Sequence, residues 1–306
     1  MRKIQLGLFA LAVLSMTITG CKTSPKNAGN DSISTDSGSV ATETEADTVT
    51  VDSIVFSAKK DSTISCYIRV EYPKGNDSLS NGIKKYIAQQ LGELYMPVNN
   101  IEESQRHKYP LYKGDVLNGR KVVDYYGKGT MKFFIADQKQ TMKDMEWEDD
   151  NRPCYSEKIR IRKEYETSKY VLYSASDESY QGGAHGSYGY YYTNISKKTN
   201  KVLDQTVDTT LVRTKAIQSL LRKGILRYMK ECGEEIKASE LNNALILPED
   251  GLIPLPVHTP WLEKRGVCFT YQQYEIAPYA VGVIDFIIPY KDIKKYLCKE
   301  AQALIE

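Results

Sequence analysis

The stretch from Lys158 to Leu203 constrains the fold most. Lys158 to Arg162 alternates charge with Ile159 and Ile161, a second run spans Tyr170 to Tyr180, and a third spans Tyr188 to Ile195. The breaks at Gly182-Gly183-Ala184-His185-Gly186 and at Lys197 to Asn200 are short. Runs of period two joined by such short breaks pair with their neighbours in sequence, which predicts an antiparallel meander. Upstream, Ile64, Cys66, Ile68 and Val70 mark Ile54 to Tyr72 as strand-like, until Pro73, Gly75 and Asn76 break it. Asp77 or Ser78 then caps a helix with apolar positions Leu79, Ile83, Tyr86, Ile87, Leu91 and Leu94, closed by Pro97. Lys113 to Gln140 reads as a second helix weakened by Gly119, Gly127 and Gly129, and Met142 to Arg152 as a helix end or loop joining two halves. Thr209 or Thr210 opens a further helix on Ile217, Leu220, Leu221, Ile225 and Tyr228, with Gly233 as its C-cap. Pro248 to Pro260 is irregular, Val267 to Tyr271 and Val281 to Ile288 read as strands, and Asp292 to Ile305 as a terminal helix. Strands segregated from helices predict an α+β fold, an antiparallel β-sheet meander packed against a few amphipathic helices.

The N-terminus sets the expected compartment. Arg2 and Lys3 precede an apolar stretch from Ile4 to Ile18, too short to span a bilayer, and then Thr19-Gly20-Cys21. Ile18-Thr19-Gly20-Cys21 resembles a bacterial lipobox, which predicts a signal peptide over residues 1–20 and lipidation of Cys21. Several acyl chains, each adding about 0.8 kcal/mol per buried methylene, make such an anchor nearly permanent. Lys22 follows where an acidic residue would redirect sorting, so the expectation is an outer membrane lipoprotein on the periplasmic leaflet. From Lys22 to about Asp52 the chain is Ser, Thr, Asn, Asp, Gly and Glu with few apolar residues, a tether that cannot bury enough surface to offset its ordering entropy. The expected organisation is residues 1–20 signal peptide, 21–56 lipidated cysteine and disordered tether, 57–150 a helix-rich α+β subdomain, and 151–306 a C-terminal α+β domain.

Charge narrows the partners. The chain has 41 basic and 39 acidic side chains, and losing Arg2 and Lys3 with the leader leaves them equal. No global field draws nucleic acid. Beyond Cys21 the cysteines are Cys66, Cys154, Cys232, Cys268 and Cys298, an odd number with no C-x-x-C or Cys/His cluster. Buried unpaired thiols are the simplest reading, and neither a metal nor a cofactor is expected.

The segment Tyr274-Glu275-Ile276-Ala277-Pro278-Tyr279-Ala280-Val281-Gly282, a strand ending Ile288-Pro289-Tyr290, and the Gly182-Gly183-Ala184-His185-Gly186 turn together resemble the extracytoplasmic domain of RsiV-type anti-sigma factors and PdaC-type peptidoglycan deacetylases. That resemblance extends roughly from Ser57 to Leu297. It implies an envelope-tethered domain that senses a protein such as lysozyme in the anti-sigma factors, and sits beside the catalytic domain in the deacetylases. This sequence shows no sigma-binding segment and no room for a separate deacetylase domain.

The candidate site residues follow from both lines. Gly183 and His185 sit on the glycine turn; Tyr188, Tyr190 and Tyr192 would share one strand face, with Tyr191 on the other. Tyr274, Glu275 and Tyr279 form either a ligand groove or a core-entry corner in which Glu275 accepts hydrogen bonds from backbone amides or a tyrosine hydroxyl. Tyrosine offers a flat body and a polar tip to sugar rings or a protein, although it is also a good strand former. The expected function is a non-enzymatic binding or sensing domain for a protein, lysozyme-like in the resemblance, or for a peptidoglycan fragment. The alternatives are a cell-wall glycan enzyme with His185 as base, oriented by Asp177 or Glu178 with Ser179 or Ser187 as nucleophile, and a purely structural envelope lipoprotein.

Overall fold

A computed structural model describes residues 48–97 and 102–305. The leader, Cys21 and the tether up to residue 47 lie outside the described residues. The alternation over Ile54 to Tyr72 resolves into two strands, β1 (Val51–Lys60) and β2 (Ile64–Pro73), antiparallel and joined at Asp61. Asp61 turns the chain with φ 50° while its Oδ1 accepts the Thr63 N–H at 2.9 Å. The boundary expected at residues 56 and 57 therefore falls inside β1, and Val49 ahead of it is buried. Glu166 Oε2 accepts the Val49 N–H, and Lys163 Nζ donates to its carbonyl.

Helix α1 (Ser78–Glu93) starts where Asp77 accepts the Ser80 N–H, and buries Ile83, Tyr86, Ile87 and Leu91. Helix α2 (Gly119–Asp144) persists through its glycines because Val122, Val123, Tyr126, Phe133 and Phe134 are packed inward, and tertiary burial outweighs weak propensity. Strands β3 (Tyr155–Glu166), β4 (Tyr170–Gln181) and β5 (Ser187–Ser196) form the expected meander. The full sheet has order β1-β2-β3-β4-β5, and β2 pairs with β3 in parallel, from Ile64↔Tyr155 to Val70↔Ile161. The sheet is thus mixed, not purely antiparallel, because both helices intervene between β2 and β3 and return the chain in the same direction. Its hydrogen bonds cross the boundary expected at residues 150 and 151.

The second layer is smaller. Thr214, and not Thr209 or Thr210, caps α3 (Lys215–Glu231); those two threonines lie in a single 3-10 turn capped by Asp208. Strands β6 (Trp261–Glu263), β7 (Gly266–Tyr271) and β8 (Ile284–Pro289) make an antiparallel three-stranded sheet. Strand β8 begins three residues later than expected because Tyr279–Val281 winds into a 3-10 turn. The expected terminal helix is broken into two short turns over Tyr290–Tyr296 and α4 (Lys299–Leu304), capped by Cys298.

Two large apolar cores result, with a smaller cluster of Ile64, Met96, Phe133, Phe134 and Tyr155. One lies between α1, α2 and one face of the large sheet; the other joins α3, the small sheet and the opposite face near Tyr170 and Leu172. Asn194 of β5 couples the sheets, donating to the Leu262 carbonyl and accepting its N–H at 2.7 Å. Cys66 and Cys268 are buried thiols, whereas Cys154 and Cys232 are exposed.

Candidate functional site

The two sequence motifs, far apart in the chain, meet at the β4–β5 hairpin. Ser179 and Ser187 close it through hydroxyls 2.7 Å apart, and Gly182 turns the backbone with φ 75°. The Tyr180 hydroxyl donates to the Gly183 carbonyl at 2.9 Å. From the other motif, the Tyr279 hydroxyl donates to the Gly186 carbonyl at 2.8 Å, pinning the turn to the 274–282 corner. Three rings then form a ladder on the surface. His185 stacks on Tyr279 with centroids 4.0 Å apart, and Tyr279 lies 5.6 Å from Tyr274. His185 is exposed and Tyr274 is 59% exposed.

The corner is braced by hydrogen bonds from its own neighbourhood. Glu275 accepts the Gln272 N–H at 2.8 Å and the Val257 N–H at 2.5 Å; burial raises its pKa, and these two donors oppose the rise. Gly282 has φ 77°, with the Tyr188 hydroxyl 3.3 Å from where a Cβ would stand, so glycine is required there. Tyr274 itself has φ 64°, a left-handed conformation that costs a bulky residue of order 1–3 kcal/mol and persists only where its surroundings impose it.

The strand tyrosines divide. Tyr188 and Tyr190 form an edge-to-face pair at 5.8 Å, and Tyr190 is 41% exposed beside the ladder. Tyr192 shares their face but stacks on Trp261 at 4.3 Å and packs into the second core. The outer edge of β5 is covered by side-chain amides. Gln272 accepts the Tyr190 N–H and donates to the Tyr190 carbonyl, and Gln273 accepts the Tyr188 N–H.

His185 meets its own turn and not a carboxylate. Its Nδ1 lies 3.0 Å from the Gly186 carbonyl. Of the groups considered for it, Glu178 is engaged by Lys158 and Arg160, and Ser179 and Ser187 bond each other.

The opposite face of the same hairpin carries a feature that sequence reading missed. Glu157 on β3 points inward with Tyr155, Ile159 and Ile161 and is 2% exposed. Asp177 on β4 and Tyr191 on β5 stand beside it, and Gly189 makes the room: a Cβ there would lie 2.1 Å from the Tyr191 hydroxyl and 2.6 Å from Asp177 Oδ1. A glutamate at an inward position of an alternating strand, and a glycine within a tyrosine run, were the signals available.

Fold and corner define an α+β domain in which a small sheet and its helix dock on the end of a large one. Residues 212–291 match the model of a family described as a protein of unknown function, DUF3298. That span runs from just before α3 through β8 and contains the 274–282 corner but not the glycine turn. A DUF3298 family member from Bacteroides fragilis is 20% identical, with 83% of this chain and 96% of that chain covered and a TM-score of 0.57. A DUF3298 family protein from Pseudomonas aeruginosa is 14% identical, with 84% and 97% covered and a TM-score of 0.54. At these identities the likeness is one of fold. No curated protein matches the chain.

Proposed function

We propose that this protein is a lipid-anchored envelope protein, held in the outer membrane through Cys21, whose α+β domain binds a protein or a cell-wall fragment with the aromatic corner His185–Tyr279–Tyr274. The observation that carries this reading is the exposed Tyr274 ring, presented by a left-handed backbone at the end of a three-ring ladder. Backbone strain beside an exposed aromatic marks a place where position is held for contact and not for core packing. Tyr188 and Tyr190 extend the surface, and flat rings of this kind suit sugar faces and protein hot spots alike. Kinship with the RsiV-type and PdaC-type domains belongs to this proposal. It is supported by the meeting of the Gly182–Gly186 turn with the 274–282 corner through Tyr279.

The test uses the polypeptide from Lys22 onward, which keeps Val49 and all of β1. Lysozyme and soluble peptidoglycan fragments are titrated against it by calorimetry. Tyr274→Ala or Tyr279→Ala should weaken the ligand that binds by tenfold or more, the scale of a hot-spot ring. Retention of neither ligand, or equal binding by both variants, removes the corner from the function.

A further inference from the structure

The hairpin's inward face opens into a cleft between α1 and the 257–261 loop. Two cavities, of ≈ 350 and ≈ 230 Å³, share Gln90, Glu93, Tyr191 and His258 as walls. Glu157 and Asp177 floor the larger one. No lysine or arginine lines either cavity among the described residues. Glu157 Oε1 and Oε2 and Asp177 Oδ1 have no hydrogen-bond partner among the described residues. Natural proteins seldom leave buried carboxylate oxygens bare, so three in one place ask for a donor.

We propose that this cleft binds a primary ammonium group on a slender apolar stem, the chemistry of a lysine side chain, with Glu157 and Asp177 as its acceptors. An ammonium has three N–H donors and no acceptor, which matches the three bare oxygens. A metal ion fits less well, because no group of three or more His, Cys, Asp or Glu residues is placed to hold one among the described residues. The walls suit the stem: His258 meets Tyr191 edge-on at 4.4 Å, and Tyr192 stacks on Trp261 in the adjoining bay. That bay also holds Trp261 Nε1, buried without a partner among the described residues, which can donate to the carbonyl of a peptide carrying the lysine. Glu157, Asp177 and Tyr191 lie on the sheet face opposite to Tyr188 and Tyr190, so the carboxylate end of the site does not rest on the aromatic corner.

Binding displaces a proton. Free Glu157 is pushed up to about 9, by burial first and by Asp177 second, so it is protonated at neutral pH. Cys66 on β2, Tyr86 and Glu93 on α1, Asp177 on β4, Tyr191 on β5 and His258 in the loop are the titratable groups around it. None of them is a cation at pH 8. The incoming ammonium stabilises the carboxylate, and the Glu157 proton passes to solvent as the ion pair forms.

The experiment is calorimetry on the polypeptide from Lys22 onward with Nα-acetyl-lysine N-methylamide, in two buffers of different ionisation enthalpy. Its Nε-acetylated and norleucine analogues are the comparison ligands. The expected result is binding of the lysine compound alone, release approaching one proton at pH 7, and affinity that rises from pH 6 to 9. Glu157→Gln and Asp177→Asn should each weaken it at least tenfold, with circular dichroism unchanged. If Glu157→Gln does not fold, Asp177→Asn and the buffer dependence of the unaltered protein carry the same test. Equal binding of the norleucine or acetylated analogue overturns the proposal. So does no binding of the lysine compound, binding without proton release, or full affinity in the folded variants.

Discussion

The two faces of the β4–β5 hairpin solve opposite problems. On one side the corner is exposed and strained but hydrogen-bonded: Tyr274 is left-handed, yet the neighbouring Glu275 carboxylate and the Gly186 carbonyl have their partners. On the other side Glu157 is deeply buried in ordinary strand geometry, yet its oxygens are bare. One face stores its cost in the backbone, the other in electrostatics. A fold keeps such costs where contact with something else can offset them.

The largest test of that contrast is pH. The raised pKa of Glu157 means that its contribution to stability is fully present below the unfolded value of about 4.5 and is lost as pH climbs towards about 9. Stability should therefore fall by about 1.4 kcal/mol per pH unit from this group alone, on the order of 3–4 kcal/mol between pH 5 and 8. Glu157→Gln should flatten that part of the curve in urea melts at each pH; parallel curves for the two proteins would show that the acid is solvated after all. Next comes Gly189→Ala. The new methyl would stand 2.1 Å from the Tyr191 hydroxyl and 2.6 Å from Asp177 Oδ1, so both side chains must shift, at roughly 1–3 kcal/mol by the overpacking scale, seen as a lowered urea midpoint at constant m-value. An unchanged midpoint would mean that the cleft floor yields freely. The smallest effect belongs to the corner. Tyr274→Gly should stabilise the fold by roughly 0.5–1 kcal/mol through relief of the positive φ, while weakening the ligand of the aromatic ladder. A loss of stability in that variant would place the ring among the structural residues.

The sequence exposed one of these faces far better than the other. The corner was legible because its residues are punctuation: Gly182, Pro278 and Gly282 fix backbone geometry locally, and a local rule suffices to read them. The meander was legible for the same reason. Glu157 was not, because the strand was read as starting at Lys158, one residue too late to reveal an acid at an inward position. The parallel pairing of β2 with β3 was equally hidden, since it joins segments separated by both α1 and α2, and no period in either strand encodes its neighbour. Thr209 and Thr210 competed with Thr214 as caps; Asp208 took the first pair into a turn of its own. The terminal helix broke because Leu297 pairs with Val207 in an isolated bridge, a tertiary contact that local helix propensity does not foresee.

The glutamine amides along β5 have a consequence for recognition. Strand addition is a common way for an extended peptide to attach to a sheet, and it needs free main-chain donors and acceptors at an edge. Gln272 already occupies both main-chain groups of Tyr190, and Gln273 accepts the N–H of Tyr188. A guest at this end of the molecule must therefore be read by side chains, ring against ring, and cannot enrol as a sixth strand without first evicting both glutamines.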